Sequence, residues 1–135
     1  MNIQFSLGLL VSAAALTGCL EGATTVIKTV HNNTDQTLEL VLDLQDVWDS
    51  TSTFILAPDE RHDIFAMDMR GKCHDCSMYE DGALFVDSLR LIAPETGWRA
   101  GFSSTSSGRW ESTHDEGWSW IRFEHVFQIH SSDLQ

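Results

Sequence analysis

The amino-acid sequence predicts an all-β protein, an antiparallel β-sandwich of about seven strands and of immunoglobulin-like size. Three observations indicate this fold class. Apolar residues recur at every second position in residues 38–45 and again in residues 121–129, which is the period of a half-buried strand. Turn-forming residues separate the strand-like runs roughly every ten positions. No amphipathic pattern with helical spacing continues for more than two turns.

The first two strands follow directly from these patterns. Residues 24–31 are rich in β-branched side chains, and the Asn-Asn-Thr-Asp segment after them favours a turn. In the next run Leu38, Leu40, Leu42 and Leu44 occupy alternate positions. Helical geometry would distribute these four leucines around a cylinder, whereas a strand places them on one face. We therefore predict a strand with a leucine face directed to the core.

The rest of the chain contains further strand-like runs between turns. These runs are residues 52–58, 62–69, 83–93, 98–102 and 118–130. A polar loop is expected at residues 70–82, and the Ser-rich residues 103–108 are typical of a flexible link. In the last run one face is predicted to carry an apolar set that His125 interrupts: Ile121, Phe123, Phe127 and Ile129.

The N-terminal segment has the organisation of a secretory signal. Residues 1–18 contain no Asp, Glu, Lys or Arg, and the apolar run at residues 5–16 is too short for a stable membrane span. The run ends in Leu16-Thr17-Gly18-Cys19, which resembles the lipobox of bacterial lipoproteins. The domain contains NNTDQTLEL at residues 32–40, ILAPDE at residues 55–60 and a closing VFQIHSSDL at residues 126–134. In these segments it is similar to small β-rich bacterial lipoproteins, a resemblance that implies no activity.

The lipobox resemblance implies how the protein is processed and where in the cell it is located. Cleavage before Cys19 would remove residues 1–18 as the signal peptide, and Cys19 would carry a covalent diacylglycerol and an N-acyl lipid, with no other cofactor. Residues 19–23 would be the lipidated cysteine and a short tether, followed by the β-sandwich at residues 24–135. The resemblance thus implies the bacterial cell envelope. Leu20 follows the cysteine in place of the Asp of an inner-membrane retention signal, which favours the outer membrane if the source has one.

Composition restricts the partners of the domain. The chain has 20 acidic and 8 basic residues, for a net charge of −12. Nucleic-acid binding needs clustered Lys and Arg, and the bases here are scattered, so no nucleic-acid partner is expected. The acidity also argues against adhesion to anionic head groups, which leaves membrane attachment to the lipid.

The pair Cys73 and Cys76 is the clearest candidate for chemistry. If Cys19 is lipidated, these two cysteines are the remaining thiols of the chain, and they lie three positions apart. Because an exported protein is in an oxidising compartment, a disulfide that closes a small loop is favoured. A metal site using both thiolates with His74 and His114 is one alternative, and a thioredoxin-like redox pair is another. Covalent haem attachment is excluded because Ser77 stands where a histidine is required.

Four tryptophans in the C-terminal third are candidate binding residues: Trp98, Trp110, Trp118 and Trp120. Strand alternation places Trp118 and Trp120 opposite the Ile121 face, and therefore outward if that face is the core. Exposed indoles of this kind stack on sugar rings or pack against a partner protein. The alternative is that both faces are covered, or that a bulge near Gly117 turns the two side chains inward.

These features favour a non-enzymatic interaction module that contacts an envelope protein or a glycan. A metal-binding or thiol-redox lipoprotein is the alternative, through Cys73 and Cys76. We predict no catalytic residues, because no nucleophile elbow, phosphate-binding glycine loop or zinc-protease motif occurs. Adjacent His-Asp pairs such as His114-Asp115 point to opposite faces of a strand and are poor evidence for a dyad.

Overall fold

The computed structural model describes residues 22–44, 50–103 and 107–134, so the lipobox and Cys19 lie outside the described residues. The described part contains eight strands and three short 3-10 helices, at Ser77–Glu80, Ser107–Arg109 and Ser131–Leu134. The strands are β1 (Ala23–Asn33), β2 (Leu38–Leu44), β3 (Ser50–Leu56), β4 (Arg61–Arg70), β5 (Val86–Ala93), β6 (Trp98–Ser103), β7 (Trp110–Glu116) and β8 (Trp120–His130). None of these helices has the length and apolarity needed to cross a membrane.

The strands form two four-stranded sheets, which confirms the all-β sandwich. One sheet has the order β4-β1-β8-β7, and the other has the order β3-β2-β5-β6. The alternating patterns behave as predicted. The four apolar residues predicted to share one face of β8 are buried, and so are Leu38, Leu40 and Leu42 of β2. The core therefore lies between the leucine face of β2 and the apolar face of β8.

Two details of the architecture differ from the prediction. The described residues form eight strands rather than about seven, because residues 110–116 form β7 where the sequence indicated a loop around His114. In addition, β1 pairs with β8 in parallel, with Ala23 opposite Trp120, while all other described pairs are antiparallel. Parallel neighbours need a long crossover connection, and the chain between the first and last strands supplies one.

A loop covers part of the inner face of the β1–β8 sheet. We call residues 71–85, between β4 and β5, the covering loop. The Thr24 hydroxyl donates to the Gly71 carbonyl at 2.8 Å and accepts from the Cys73 amide at 2.9 Å. Further along, the Tyr79 ring lies 6.0 Å from the Phe123 ring. At the end of the sandwich where β1 begins, the covering loop therefore packs against the inner face of this sheet, as the second sheet does elsewhere.

Polar side chains occupy several core positions of this sheet. Thr24, Lys28, Asn32 and His125 are all buried. Buried polar groups need hydrogen-bond partners, and each of these four has them. For Lys28 and His125 the partners include carbonyl oxygens of the covering loop. The loop is therefore held to the sheet by polar contacts as well as by apolar packing.

Candidate functional site

The turn between β7 and β8 carries the most exposed aromatic residues among those the structure describes. Trp118 is 77% exposed and Trp120 is 41% exposed, so both are directed outward. Strand alternation accounts for Trp120, the first residue of β8, whereas Trp118 precedes the strand and is exposed in the turn. The Gly117 amide donates to the Trp120 carbonyl at 2.9 Å and closes a turn whose two intervening residues are Trp118 and Ser119. We call this segment, residues 117–120, the tryptophan turn.

Gly117 makes room for one of the two indoles. A Cβ atom at Gly117 would collide with the Nε1 edge of the Trp120 ring. The ring therefore lies against the glycine backbone, which explains why Trp120 is less exposed than Trp118. A glycine at this position supplies the close approach that a side chain would prevent.

The tryptophan turn also contacts the beginning of the described chain. The Ala23 amide donates to the Ser119 carbonyl at 3.2 Å, and the Gly71 amide donates to the Gly22 carbonyl at 3.2 Å. Gly22 has a φ of 68°, and a Cβ atom there would collide with the Ser119 carbonyl. The segment that leads into β1 is consequently packed against the turn that carries Trp118.

Lys72 supports the turn from the covering loop. Its Nζ donates to the Gly117 carbonyl at 2.9 Å and lies 2.8 Å from the Glu116 carboxylate. The hydrogen bond and the positive charge of Lys72 lower the pKa of Glu116. The acidic group nearest the tryptophan turn along the chain is therefore paired with a cation.

The other two candidate tryptophans have a different environment. Trp98 begins β6 and Trp110 begins β7, and both are half-buried against the hydrophobic core. Trp110 packs edge-on against Phe127, with ring centroids 5.3 Å apart. The structure thus separates the four residues into two that stabilise the core and two that form an exposed surface.

Cys73 and Cys76 are joined by a disulfide within the covering loop, as the sequence predicts for the favoured alternative. Of the proposed extra metal ligands, His74 is exposed in the loop, and His114 lies 6.0 Å from the Phe123 ring. In the part of the chain that is described, no group of three or more His, Cys, Asp or Glu side chains could hold a metal ion. The metal alternative therefore gains no support from the geometry.

Sequence reasoning missed a buried hydrogen-bonded group centred on His125. Its Nε2 lies 2.7 Å from the Tyr79 carbonyl, and its Nδ1 lies 2.6 Å from the Ser112 hydroxyl. A carbonyl only accepts, so Nε2 carries the proton and Nδ1 accepts from Ser112. The signal was present, because His125 falls on the apolar face of β8, but nothing in the sequence identified Ser112 or Tyr79 as its partners.

A serine hydroxyl that donates to an imidazole is one part of an activated nucleophile. A general base must also accept a proton, and the surroundings of His125 oppose this. Burial, followed by the positive charge of Lys28, lowers the pKa of His125. The third member of the group is the Tyr79 carbonyl, where a catalytic triad has a carboxylate that stabilises the imidazolium. The arrangement is suited to holding the covering loop, and poorly suited to activating Ser112.

No protein-family model matches this chain, and no curated protein is significantly similar to it in sequence.

Proposed function

We infer that the protein is a lipid-anchored binding protein of the bacterial cell envelope. The lipid is attached to Cys19, and the tryptophan turn is the surface through which the tethered domain makes contact. The support for the anchor is the uncharged apolar segment that ends in Leu16-Thr17-Gly18-Cys19. Leu20 after the cysteine favours the outer membrane if the source has one.

The single observation that carries this proposal is the exposure of Trp118 and Trp120 beside the start of the sandwich. Indoles bury large areas and are enriched where proteins bind. The two indoles are neighbours in one turn and form a contiguous apolar surface, and contiguous exposed apolar surfaces mark sites of interaction with proteins or membranes. Ala23, four positions after Cys19 in the sequence, is hydrogen-bonded to Ser119 between the two tryptophans, and this contact links the surface to the proposed anchor.

A binding role also agrees with the buried polar groups. The Ser112–His125 pair is the closest approach to a nucleophile and base in this part of the fold, and its environment disfavours protonation of the ring. The disulfide between Cys73 and Cys76 braces the covering loop. These residues therefore hold the covering loop, and Lys72 of that loop contacts the tryptophan turn.

Fatty-acid labelling in a bacterial host tests the anchor. The wild type should incorporate labelled palmitate and fractionate with membranes, whereas Cys19→Ser should do neither. The Cys73→Ser/Cys76→Ser double variant is the matched control and should keep the label, since it removes the other two cysteines of the chain. Label that persists in Cys19→Ser, or its absence from the wild type, would refute the lipid anchor.

A further inference from the structure

We propose that Trp118 and Trp120 enter the head-group layer of the same bilayer that holds the lipid, so the partner of the tryptophan turn is the membrane interface. This inference rests on the proposed lipid anchor at Cys19. It adds a second attachment point, which would fix the orientation of the sandwich on the membrane.

Distance along the chain is the first argument. Cys19 is three residues before Gly22, and an extended chain spans at most about 3.6 Å per residue, so the two Cα atoms are within roughly 11 Å. The next residue, Ala23, is hydrogen-bonded to Ser119 of the tryptophan turn. The turn is therefore confined to within about 20 Å of the acylated residue. With so short a connection, this end of the sandwich is the one that faces the bilayer.

The chemistry of the exposed side chains is the second argument. Indole rings concentrate at membrane interfaces because their apolar body and N–H group suit a layer that is partly wet. Trp118 lies at the tip of the turn and Trp120 beside it. The head-group layer is on the order of 5–8 Å thick in each leaflet, which matches the reach of a tryptophan side chain.

The charge distribution is the third argument. The net charge of −12 disfavours attraction to anionic lipids, so the contact must come from the indoles. Next to the turn, the Glu116 carboxylate is paired with Lys72 at 2.8 Å, and the same Nζ satisfies the Gly117 carbonyl. Pairing lowers the cost of bringing this acidic group close to the bilayer. We therefore expect insertion into zwitterionic membranes with little dependence on salt.

Depth-dependent fluorescence quenching tests the proposal. The acylated protein, which begins at Cys19, is placed in phosphatidylcholine vesicles whose lipids carry bromine on the upper part of the acyl chain. Wild-type tryptophan emission should shift to the blue and be quenched by the bromolipid. The Trp118→Ala/Trp120→Ala variant should lose most of that quenching, and Trp98→Phe, which removes a core indole, should retain it. Matching urea-unfolding midpoints would show that the double variant remains folded.

The outcomes distinguish this inference from the lipid anchor. If the wild type is not acylated, the anchor and the membrane contact both fail. If it is acylated and vesicle-bound, but the double variant is quenched as strongly as the wild type, the anchor stands and the membrane contact is refuted. A second result would also overturn the proposal. In vesicles, acrylamide in the aqueous phase would still quench Trp118 fluorescence, and soluble cell-wall glycan fragments or an added envelope protein would then protect Trp118 from this quenching. The surface would then be assigned to that partner.

Discussion

The ammonium group of Lys28 lies inside the sandwich and donates a hydrogen bond to the carbonyl oxygen of Gly82 in the covering loop. The Lys28 side chain is 0% exposed, and its Nζ also lies 3.3 Å from the Asp81 carbonyl and 5.4 Å from the centre of the Trp110 ring. A buried charge must be satisfied by nearby polar groups. The central strand β1 is thereby connected to the covering loop through one cation.

The folded protein should become more stable as the pH rises from 8 towards 10.5. Burial lowers the pKa of Lys28 from 10.5 to about 8, and the Asp81 carboxylate opposes part of this shift. Between these values the unfolded chain retains a proton that the folded chain has released, so the free energy of unfolding increases with pH, by up to about 3 kcal/mol in total. Urea unfolding across this interval measures the effect.

Two variants identify the group responsible for this alkaline stabilisation. Lys28→Met should abolish the increase, because it removes the buried cation. Lys72→Met changes the other lysine of the chain, which is partly exposed beside Glu116, and should preserve it. An equal increase in wild type and Lys28→Met would contradict the assignment.

His125 should cause a loss of stability on the acid side. Burial, and then the charge of Lys28, lowers the pKa of His125 below 6.5. As the pH falls through 6.5 the unfolded chain gains a proton that the folded chain does not, so the free energy of unfolding decreases. Urea unfolding just below pH 6.5, above the range in which most carboxyl groups titrate, should show this slope. His125→Gln should reduce the dependence of the free energy of unfolding on pH, whereas the control His130→Gln, at an exposed position, should not. The reverse result would be incompatible with this role of His125.

Reduction of the Cys73–Cys76 disulfide should destabilise the protein only modestly. The bond closes a loop of sequence separation 3, and for so short a loop the chain-entropy relation gives roughly 2 kcal/mol. Urea unfolding with and without dithiothreitol measures the difference. The Cys73→Ser/Cys76→Ser variant should resemble the reduced wild type and should not respond to dithiothreitol. A response of that variant would show that the reductant acts elsewhere.

Asn32 should be far more sensitive to substitution than its neighbour Asn33. The buried Asn32 amide Nδ2 donates to the carbonyl oxygens of Gln36, Leu56 and Ala57, at 2.8, 3.2 and 3.0 Å. In Asn32→Asp a carboxylate would face these three acceptors, with an expected loss of more than about 2 kcal/mol in the free energy of unfolding.

The neighbouring residue supplies the matched control for Asn32. Asn33 is exposed, and Asn33→Asp should change the free energy of unfolding by no more than about 0.5 kcal/mol. Thermal or urea unfolding of the pair measures the contrast. Equal effects of the two substitutions would mean that the amide network around Asn32 contributes little.

The strands with the clearest sequence pattern, β2 and β8, are strands with one buried face. The leucines of β2 and the apolar residues of β8 alternate because every second side chain is buried, and burial is what the pattern records. β7 was missed because it has no buried face. From Glu111 to Glu116 this edge strand is exposed at every position, so it has no apolar period to detect.

Alternation from Ile121 indicated exposure of Trp118 and Trp120 if the Ile121 face is buried, and Ile121 is buried. That reasoning applies to Trp120 of β8, whereas Trp118 is exposed because it lies in the turn before the strand. The role of Lys28 was within reach, because it lies between Val26 and Val30 on the buried face of β1. Its partners were not, since Asp81 and Gly82 are more than fifty positions away along the chain. The pairing of a buried polar group with a distant loop depends on the packed structure.

The sequence by itself determined the fold class and the leucine core of β2. It favoured a disulfide between Cys73 and Cys76, and it indicated an outward direction for Trp118 and Trp120 only if the Ile121 face is buried. Only the tertiary structure decided that β1 lies parallel to β8, and hence that Ala23 lies beside Trp120 at the tryptophan turn. The physical reason is that side-chain alternation depends on which face is buried, and is identical in parallel and antiparallel strands. Which distant strands become neighbours is decided by packing across the whole chain, and that packing places the exposed indoles next to the segment that leads from Cys19.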